Sequence, residues 1–322
     1  MQGKIIFNFC KMVRVKEKIS IVTTLFRSEE HIKIFYEQCL KYIVSQFEEY
    51  EFVIVNDGSP DDSILIAIEL AEMDRNVKVV DLSRNFGHHK ALLTGLRWST
   101  GDKIFMLDVD LEEHPSIFSQ FLSEYKSDPR VEHVFAAQRA RKGNILEKFS
   151  GYIFYNIFNF LSDVKVEKNI ITSRLMSRRF VDSLMEFKEQ EIFIAGLCVL
   201  NGYETRKIFV EKTSTAKTSY SFSKKIQLLV NGITSFSSKP LFMIFYIGCI
   251  VLLLAVIAIG KIVYDKINYN ITISGWASVI VAICFMGGLI IFSMGVFSIY
   301  LSKIFIETKA RPYVIIKRII NG

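Results

Sequence analysis

Cysteine is scarce and unpatterned in this chain. Five occur, at Cys10, Cys39, Cys198, Cys249 and Cys284, an odd number without paired spacing. That excludes a disulfide framework and a structural zinc site, and it suits a reducing compartment. No glycine-rich P-loop, nucleophile elbow or His-Glu-x-x-His helix is present, so the chemistry those motifs carry is not expected. Internal repeats and low-complexity tracts are also missing. A cleavable signal peptide is not expected: the apolar patch Ile5 to Cys10 is short, basic residues follow it, and no small-residue cleavage site appears. Met12 is an alternative start. The most informative lack is of charge. Leu241 to Gly260 holds no charged residue, and neither does Ile271 to Ser302.

A membrane-spanning helix needs about 20 apolar residues at ~1.5 Å each. Both stretches meet that length, and core helices seldom run so far without a charge. The sequence therefore predicts a hairpin of two spans, 241–263 and 271–302, joined by the polar loop Lys261 to Asn270. Gly287, Gly288 and Gly295 would allow close helix packing, including in a homo-oligomer. Lys224, Lys225 and Lys239 precede the first span; Lys303, Lys309, Arg311, Lys317 and Arg318 follow the second. The loop has Lys261 and Lys266, offset by Asp265. The positive-inside rule then puts both termini in the cytoplasm. The net charge of +7 fits contact with an anionic leaflet. Because the basic residues cluster at the membrane flanks, no nucleic-acid partner is expected.

The first 240 residues have a different pattern. Ile19 to Leu25, Glu51 to Asn56, Val77 to Leu82 and Lys103 to Leu107 read as buried strands. Glu29 to Ser45, Ser63 to Met73 and His89 to Ser99 read as the helices between them. This alternation predicts a doubly wound, mostly parallel α/β sheet, in which ligands bind beyond the carboxyl ends of the strands. Asp57, Ser83 to Asn85, and Asp108 to Asp110 all fall just after strands. An aromatic-rich region, Asn144 to Val164, and the amphipathic stretch 216–240 read as interfacial or core helices. The expected organisation is an N-terminal extension at 1–18, a catalytic domain at 19–215, the interfacial segment 216–240, the two spans, and a basic cytoplasmic tail at 303–322.

Asp108-Val109-Asp110 is the centre of the candidate chemistry. Two carboxylates one residue apart can grip a hard divalent cation such as Mg²⁺ or Mn²⁺. A solvated turn is the alternative, and Glu112 two residues on favours the metal. Asp57 either accepts hydrogen bonds from a nucleobase or ribose, or forms an Asp-Gly turn. His88 and His89 lack a third ligand at zinc spacing, and a loop role near phosphate is expected of them. Arg139, Arg141 and Lys142 either neutralise a diphosphate or are a solvated surface.

These residues stand in an order that resembles glycosyltransferase family 2. The resemblance is to its polyisoprenyl-phosphate glycosyltransferases, the group that includes dolichyl-phosphate mannose synthase and bactoprenol glucosyl transferase. The matching segments are IVTTLFRSEEHI, FVIVNDGSPDDS, LSRNFGHHKALLTGL, GDKIFMLDVDLEEHP, SRLMSRRFVDSL and KTSYSFSKKIQLLVNGITSFSSKPL, followed by the two spans and RPYVII. The resemblance implies a GT-A nucleotide-sugar domain. It implies that Thr24, Phe26, Glu29, Asp57, Asn85, Lys90 and Asp108 line a nucleotide-diphosphate sugar, expected to be UDP-linked. Asp108, Asp110 and Glu112 would hold Mg²⁺ or Mn²⁺, with Asp108, Asp110, Arg139 and Arg141 acting on the diphosphate. Arg174, Ser219, Tyr220 and Lys224 would face the acceptor phosphate.

Three departures stand out. The family's Pro-Val-Tyr-Asn-Glu-Glu opening is Thr24-Leu25-Phe26-Arg27-Ser28-Glu29, an aspartate ahead of Arg174 is Thr172, and the first arginine of the basic pair is Gln138. The expected activity is inverting, metal-dependent sugar transfer to an undecaprenyl-type phosphate at the bacterial cytoplasmic membrane, for cell-surface polysaccharide such as O-antigen of lipopolysaccharide. The alternatives are extension of a lipid-linked glycan at a sugar hydroxyl and, from another class, a non-catalytic membrane scaffold.

Overall fold

The computed structural model describes residues 15–138, 169–210, 237–269 and 275–322 in continuous runs, with isolated positions between 156 and 167 and between 230 and 234. The described residues form two compact units. One lies within 1–145, 166–218 and 311–322, the other within 146–165 and 219–310.

The first unit is built on strands β1 (Val15–Leu25), β2 (Phe47–Asn56), β3 (Val77–Leu82), β4 (Lys103–Met106), β5 (Val131–Gln138), β6 (Ile170–Ser177), β7 (Glu204–Val210) and β8 (Ile316–Ile320). Its helices are α1 (Ile32–Tyr42), α2 (Ser63–Met73), α3 (His88–Trp98), α4 (Phe118–Lys126), α5 (Arg178–Met185) and α6 (Ile194–Leu200). The strands make one sheet in the order β7-β5-β6-β4-β1-β2-β3-β8. β1 lies parallel to both β2 and β4, and β2 is parallel to β3. β6 is antiparallel to β4 and β5, β5 is parallel to β7, and β8 is antiparallel to β3.

The inner strands read as unbroken apolar runs because helices cover both faces of a parallel sheet. Ile19, Ile21, Phe52, Ile54, Val77 and Val79 are all buried. Phe105 of β4 packs against Phe118 and Phe121 of α4 with ring centroids 5.0 and 5.2 Å apart. Such pairs add about 0.5–1.5 kcal/mol each beyond the area they bury. Helix α3 sits against β1 and β2 through Ala91, Leu92, Gly95 and Leu96. A Cβ at Gly95 would stand 2.5 Å from Val22 Cγ1, so only glycine permits this approach.

Glu51 clamps the other end of the sheet. Its Oε1 accepts from Ser20 Oγ (2.6 Å) and from the Thr100 amide (2.5 Å). Its Oε2 accepts from Lys18 Nζ (3.1 Å) and Thr100 Oγ1 (2.9 Å). Burial pushes this carboxyl up, but the hydrogen bonds from Ser20, Thr100 and Lys18 outweigh burial and hold it at about 2.

The second unit contains two long helices, α7 (Lys239–Tyr269) and α8 (Trp276–Thr308). Stretches Lys239–Ala258 and Phe285–Thr308 are long and apolar enough to cross a membrane, and none of either is buried in the protein. Phe245, Leu252, Ile257, Phe285, Ile291 and Phe297 are exposed. A helix with apolar side chains left exposed needs another apolar medium around it. Helix α7 runs on through Lys261 and Lys266, where the sequence predicts a loop, because no residue between Gly260 and Tyr269 stops it. A Cβ built on Gly287, Gly288 or Gly295 meets no heavy atom within 4 Å.

The region 303–322, expected as a basic tail, holds the end of α8 followed by β8, which pairs with the edge of β3. β1 and β8 thus belong to one sheet although α7 and α8 lie between them in the chain. The interfacial readings at 144–164 and 216–240 fall largely outside the described residues.

Because the Glu51 carboxyl sits below its ordinary 4.5 in the folded protein, its contribution is fully present above pH ~4.5 and fades as pH falls towards 2. We expect Glu51→Gln to lose on the order of 3 kcal/mol at pH 7, a fall in Tm of roughly 5–10 °C, with the gap from the parent chain shrinking at pH 3. Thermal melts at the two pH values check this; an equal gap at both would exclude the carboxylate clamp.

Candidate active site

The strand order reverses between β1 and β4, which is where an open α/β sheet leaves a crevice for ligand. Three loops meet at that edge: 26–29 after β1, 57–63 after β2, and 83–87 after β3. Asp57 is the hub. It is buried, with Oδ1 accepting the Phe86 amide (2.7 Å) and Oδ2 the Gly87 amide (3.0 Å). Burial pushes its carboxyl up, and the two amides, His88 and Arg84 only partly offset that. The structure thus gives Asp57 a bracing duty that neither reading of the sequence anticipated. A carboxylate has about four lone-pair positions, so acceptor capacity towards a ligand remains. Gly58 makes the bracing possible. It holds φ +60, and a Cβ there would stand 2.4 Å from Arg84 C and Asn85 N.

The first two loops are also stitched together. The Arg27 amide donates to Ser59 Oγ (2.7 Å), the Ser28 amide to Ser63 Oγ (3.0 Å) and the Glu29 amide to Asp61 Oδ2 (3.3 Å). Glu29 Oε2 accepts the Asp62 amide in return (3.1 Å). Glu29, expected at the ligand, therefore joins the two loops. Phe26 stays 46% exposed beside them, a flat apolar surface at the crevice. Arg84 lies over the Phe86 ring at 4.2 Å and donates to the Asn85 carbonyl (3.1 Å), leaving Asn85 exposed on the third loop.

That third loop delivers His88. Its Nδ1 lies 3.1 Å from Thr24 Oγ1 at the end of β1, and its Nε2 lies 3.5 Å from Asp108 Oδ1 beyond β4. His88 thus spans the reversal point and joins two residues the sequence singled out separately. Both histidines open helix α3, and it is His88 that reaches Thr24 and Asp108. His89 faces away, with Nδ1 3.1 Å from the Ile192 carbonyl. Lys90 lies in the first turn of α3, its amide bonded to the Gly87 carbonyl (3.0 Å).

Asp108-Val109-Asp110 lies just beyond β4, with Val109 and Asp110 already in a turn. Val109 is buried at 5% exposure in the core, while the carboxylates either side of it are more open. Asp108 is partly exposed and Asp110 exposed. Leu111 then takes φ +57 and turns the chain, bringing the Glu112 amide to Asp110 Oδ1 at 3.0 Å. No group of three or more His, Cys, Asp or Glu side chains that could hold a metal occurs among the described residues. The contact recorded between Glu112 and Asp110 is the backbone one, from the Glu112 amide to Asp110 Oδ1. The donor set still fits a divalent cation. Asp108 and Asp110 offer only oxygen, on an open edge, and a hard cation completes such a shell with water and phosphate oxygens.

Arg174 does not sit on an open face. It lies on β6 opposite Met106, 5% exposed, with Nη1 donating to Cys198 Sγ at 3.1 Å. Burial raises the Cys198 thiol, and Arg174 partly offsets that. Arg139, Arg141, Ser219, Tyr220 and Lys224 lie outside the described residues. Thr24, Phe26, Asp57, Asn85, His88, Asp108 and Asp110 gather at the strand ends.

Residues 20–184 match the family described as Glycosyl transferase family 2. A chain of Mycobacterium tuberculosis (strain CDC 1551 / Oshkosh) assigned to the glycosyltransferases is 41% identical over 94% of this chain and 88% of its own. A prophage bactoprenol glucosyl transferase homolog of Escherichia coli (strain K12) is 34% identical over 94% of this chain and 99% of its own. The solved mannosyltransferase PcManGT from Pyrobaculum calidifontis, in complex with GDP-Man and Mn2+, superposes with a TM-score of 0.49 at 15% identity, covering 69% of this chain and 64% of its own. With a family match over half its length and a relative 41% identical over nearly all of it, the chain belongs to glycosyl transferase family 2 and is a glycosyltransferase.

Proposed function

We propose that this chain transfers a sugar from a nucleotide-diphosphate sugar, UDP-linked, to a polyisoprenyl phosphate at the cytoplasmic face of a bacterial membrane, with inversion. The observation that carries the reading is the pair of open carboxylates beyond β4, set at the strand reversal beside three interlocked loops. Two candidate spans in the same chain supply a reason for a lipid acceptor. The bactoprenol glucosyl transferase of Shigella phage SfX, 32% identical over 93% of this chain and 99% of its own, supports the same acceptor class.

In this reading Phe26 offers a stacking face to the base, Asp57 and the Asn85 loop border the ribose, and Asp108 and Asp110 would hold Mg²⁺ or Mn²⁺, which would supply positive charge to a departing diphosphate. Thr24 and His88 fix the Asp108 carboxylate in place, so that it is oriented before donor binds. The acceptor phosphate oxygen forms a bond to the anomeric carbon as the bond from that carbon to the diphosphate breaks. The electron pair leaves with the nucleoside diphosphate, and a single in-line displacement inverts the centre. A phosphate monoester is already anionic near neutrality, so this acceptor needs no strong general base. The catalytic domain, at 19–215, and both termini would be cytoplasmic by the positive-inside rule. The product would serve cell-surface polysaccharide synthesis or modification.

We expect Asp110→Asn to lower sugar transfer from labelled UDP-sugars to undecaprenyl phosphate by at least ~10²-fold, with resistance of the membrane-bound protein to alkaline extraction unchanged. Full activity would remove the carboxylate assignment. The labelled lipid product should release its sugar in mild acid; a product stable to that treatment indicates a sugar-hydroxyl acceptor instead. Gly58→Ala should raise the donor KM about tenfold while circular dichroism is unchanged, since loops 57–59 and 84–85 must part to admit the methyl group. An unaltered KM would show that the close approach of these loops does not shape the donor site.

A further inference from the structure

The chain's last strand touches the third donor loop. Leu82 pairs with Ile316 of β8, and the amide of Ser83, the first residue beyond β3, donates to the Ile315 carbonyl at 2.9 Å. One register step away, Arg318 Nε reaches Asp81 Oδ2 at 2.9 Å. Asp81 is 3% exposed, and its Oδ1 accepts from Asn56 Nδ2 at 2.8 Å. Asn56 Oδ1 in turn accepts the Ser59 amide at 3.2 Å, inside the loop that follows β2. Arg97 of α3 stacks over Tyr313 at 5.3 Å, and Asn321 Nδ2 bonds the carbonyls of Ala71 (2.6 Å) and Val77 (3.0 Å). Contacts on both sides thus seat β8, and its arginine meets a carboxylate that stands two residues before the third loop and holds Asn56, which in turn bonds the second loop.

We propose that Arg318 is a positioning residue for the donor site, acting through Asp81 and Asn56 on loops 57–61 and 83–87. The inference rests on the reading that these loops receive the nucleotide sugar. A buried carboxylate needs a compensating charge, and without one it draws water or turns away. Asp81 holds the Asn56 amide only while it keeps its orientation. Arg318 supplies that orientation from a strand separated from helix α8 by the short stretch 309–315. The donor loops are therefore completed only when the chain has returned from the membrane hairpin. A protein lacking β8 would keep Asp108 and Asp110 yet hold its donor loosely. Such a tie would keep half-made or clipped chains from consuming nucleotide sugar.

The test compares full-length wild type, Arg318→Ala, Arg318→Lys and the exposed control Lys317→Ala in detergent or nanodiscs. Arg318→Ala should raise the KM for the UDP-sugar on the order of tenfold while kcat stays within about twofold, and Arg318→Lys should recover most of the loss. Amide hydrogen exchange over Ser83 to Gly87, read without donor, should quicken in Arg318→Ala and not in Lys317→Ala. In an Asp81→Asn background the same alanine change should add little to KM, since the route through Asp81 is already cut. Unchanged KM and unchanged exchange in Arg318→Ala would overturn the inference, as would an equal fall of kcat and kcat/KM with exchange at Ser83 to Gly87 unaltered. Should wild type use no nucleotide sugar at all, the proposed function falls. The exchange comparison would still decide whether Arg318 holds the loop.

Discussion

Everything at the strand ends depends on one carboxylate that never faces open solvent. Asp57 takes two consecutive backbone amides, Phe86 and Gly87, and so fixes the loop beyond β3 against the loop beyond β2. Charge-assisted bonds to backbone amides are among the stronger bonds available in a fold. They also aim the chain: the next residue after Gly87 is His88, whose ring then bridges Thr24 and Asp108. The loop after β1 is tied to the loop after β2 by four further bonds. The crevice is therefore assembled from loops that brace one another before any ligand arrives. Such preorganisation is what electrostatic catalysis requires, because groups already in place need not reorganise as charge develops.

A second constraint comes from the membrane. Two helices with apolar side chains exposed to their surroundings are inserted between β7 and β8 of one sheet. The chain therefore leaves the sheet after β7 and rejoins it at β8, with the two apolar helices between. The same arrangement covers the β3 edge, which as an exposed parallel edge would invite pairing with other chains.

The chemistry asked of the site is modest in covalent terms and demanding in electrostatic ones. A departing diphosphate carries its charge away from the anomeric carbon, and the protein's task is to meet that charge. Asp108 and Asp110 provide oxygen ligands on an open edge, while Val109 between them is locked in the core. The buried valine matters because it anchors in the core the turn that carries both carboxylates.

The alternation of apolar runs and turn residues determined the order of β1 to β4 and α1 to α3, because hydrophobic period and loop chemistry are local; it missed the four residues that open each of β1 and β2, which are less apolar, and overran α1 at both ends. It also determined that the polar clusters after β2, β3 and β4 share one edge, and that two charge-free stretches demand an apolar medium. Only the tertiary structure decided that β6 runs backwards between β4 and β5, that the chain's end becomes β8, and that Arg174 is enclosed beside Cys198. Those outcomes rest on pairing between segments far apart in the chain, for which a five-residue strand such as IKRII carries no local signature. The same holds for Asp57: an aspartate before a glycine looks like a turn, and its two amide partners 29 and 30 residues away appear only once β2 and β3 lie side by side.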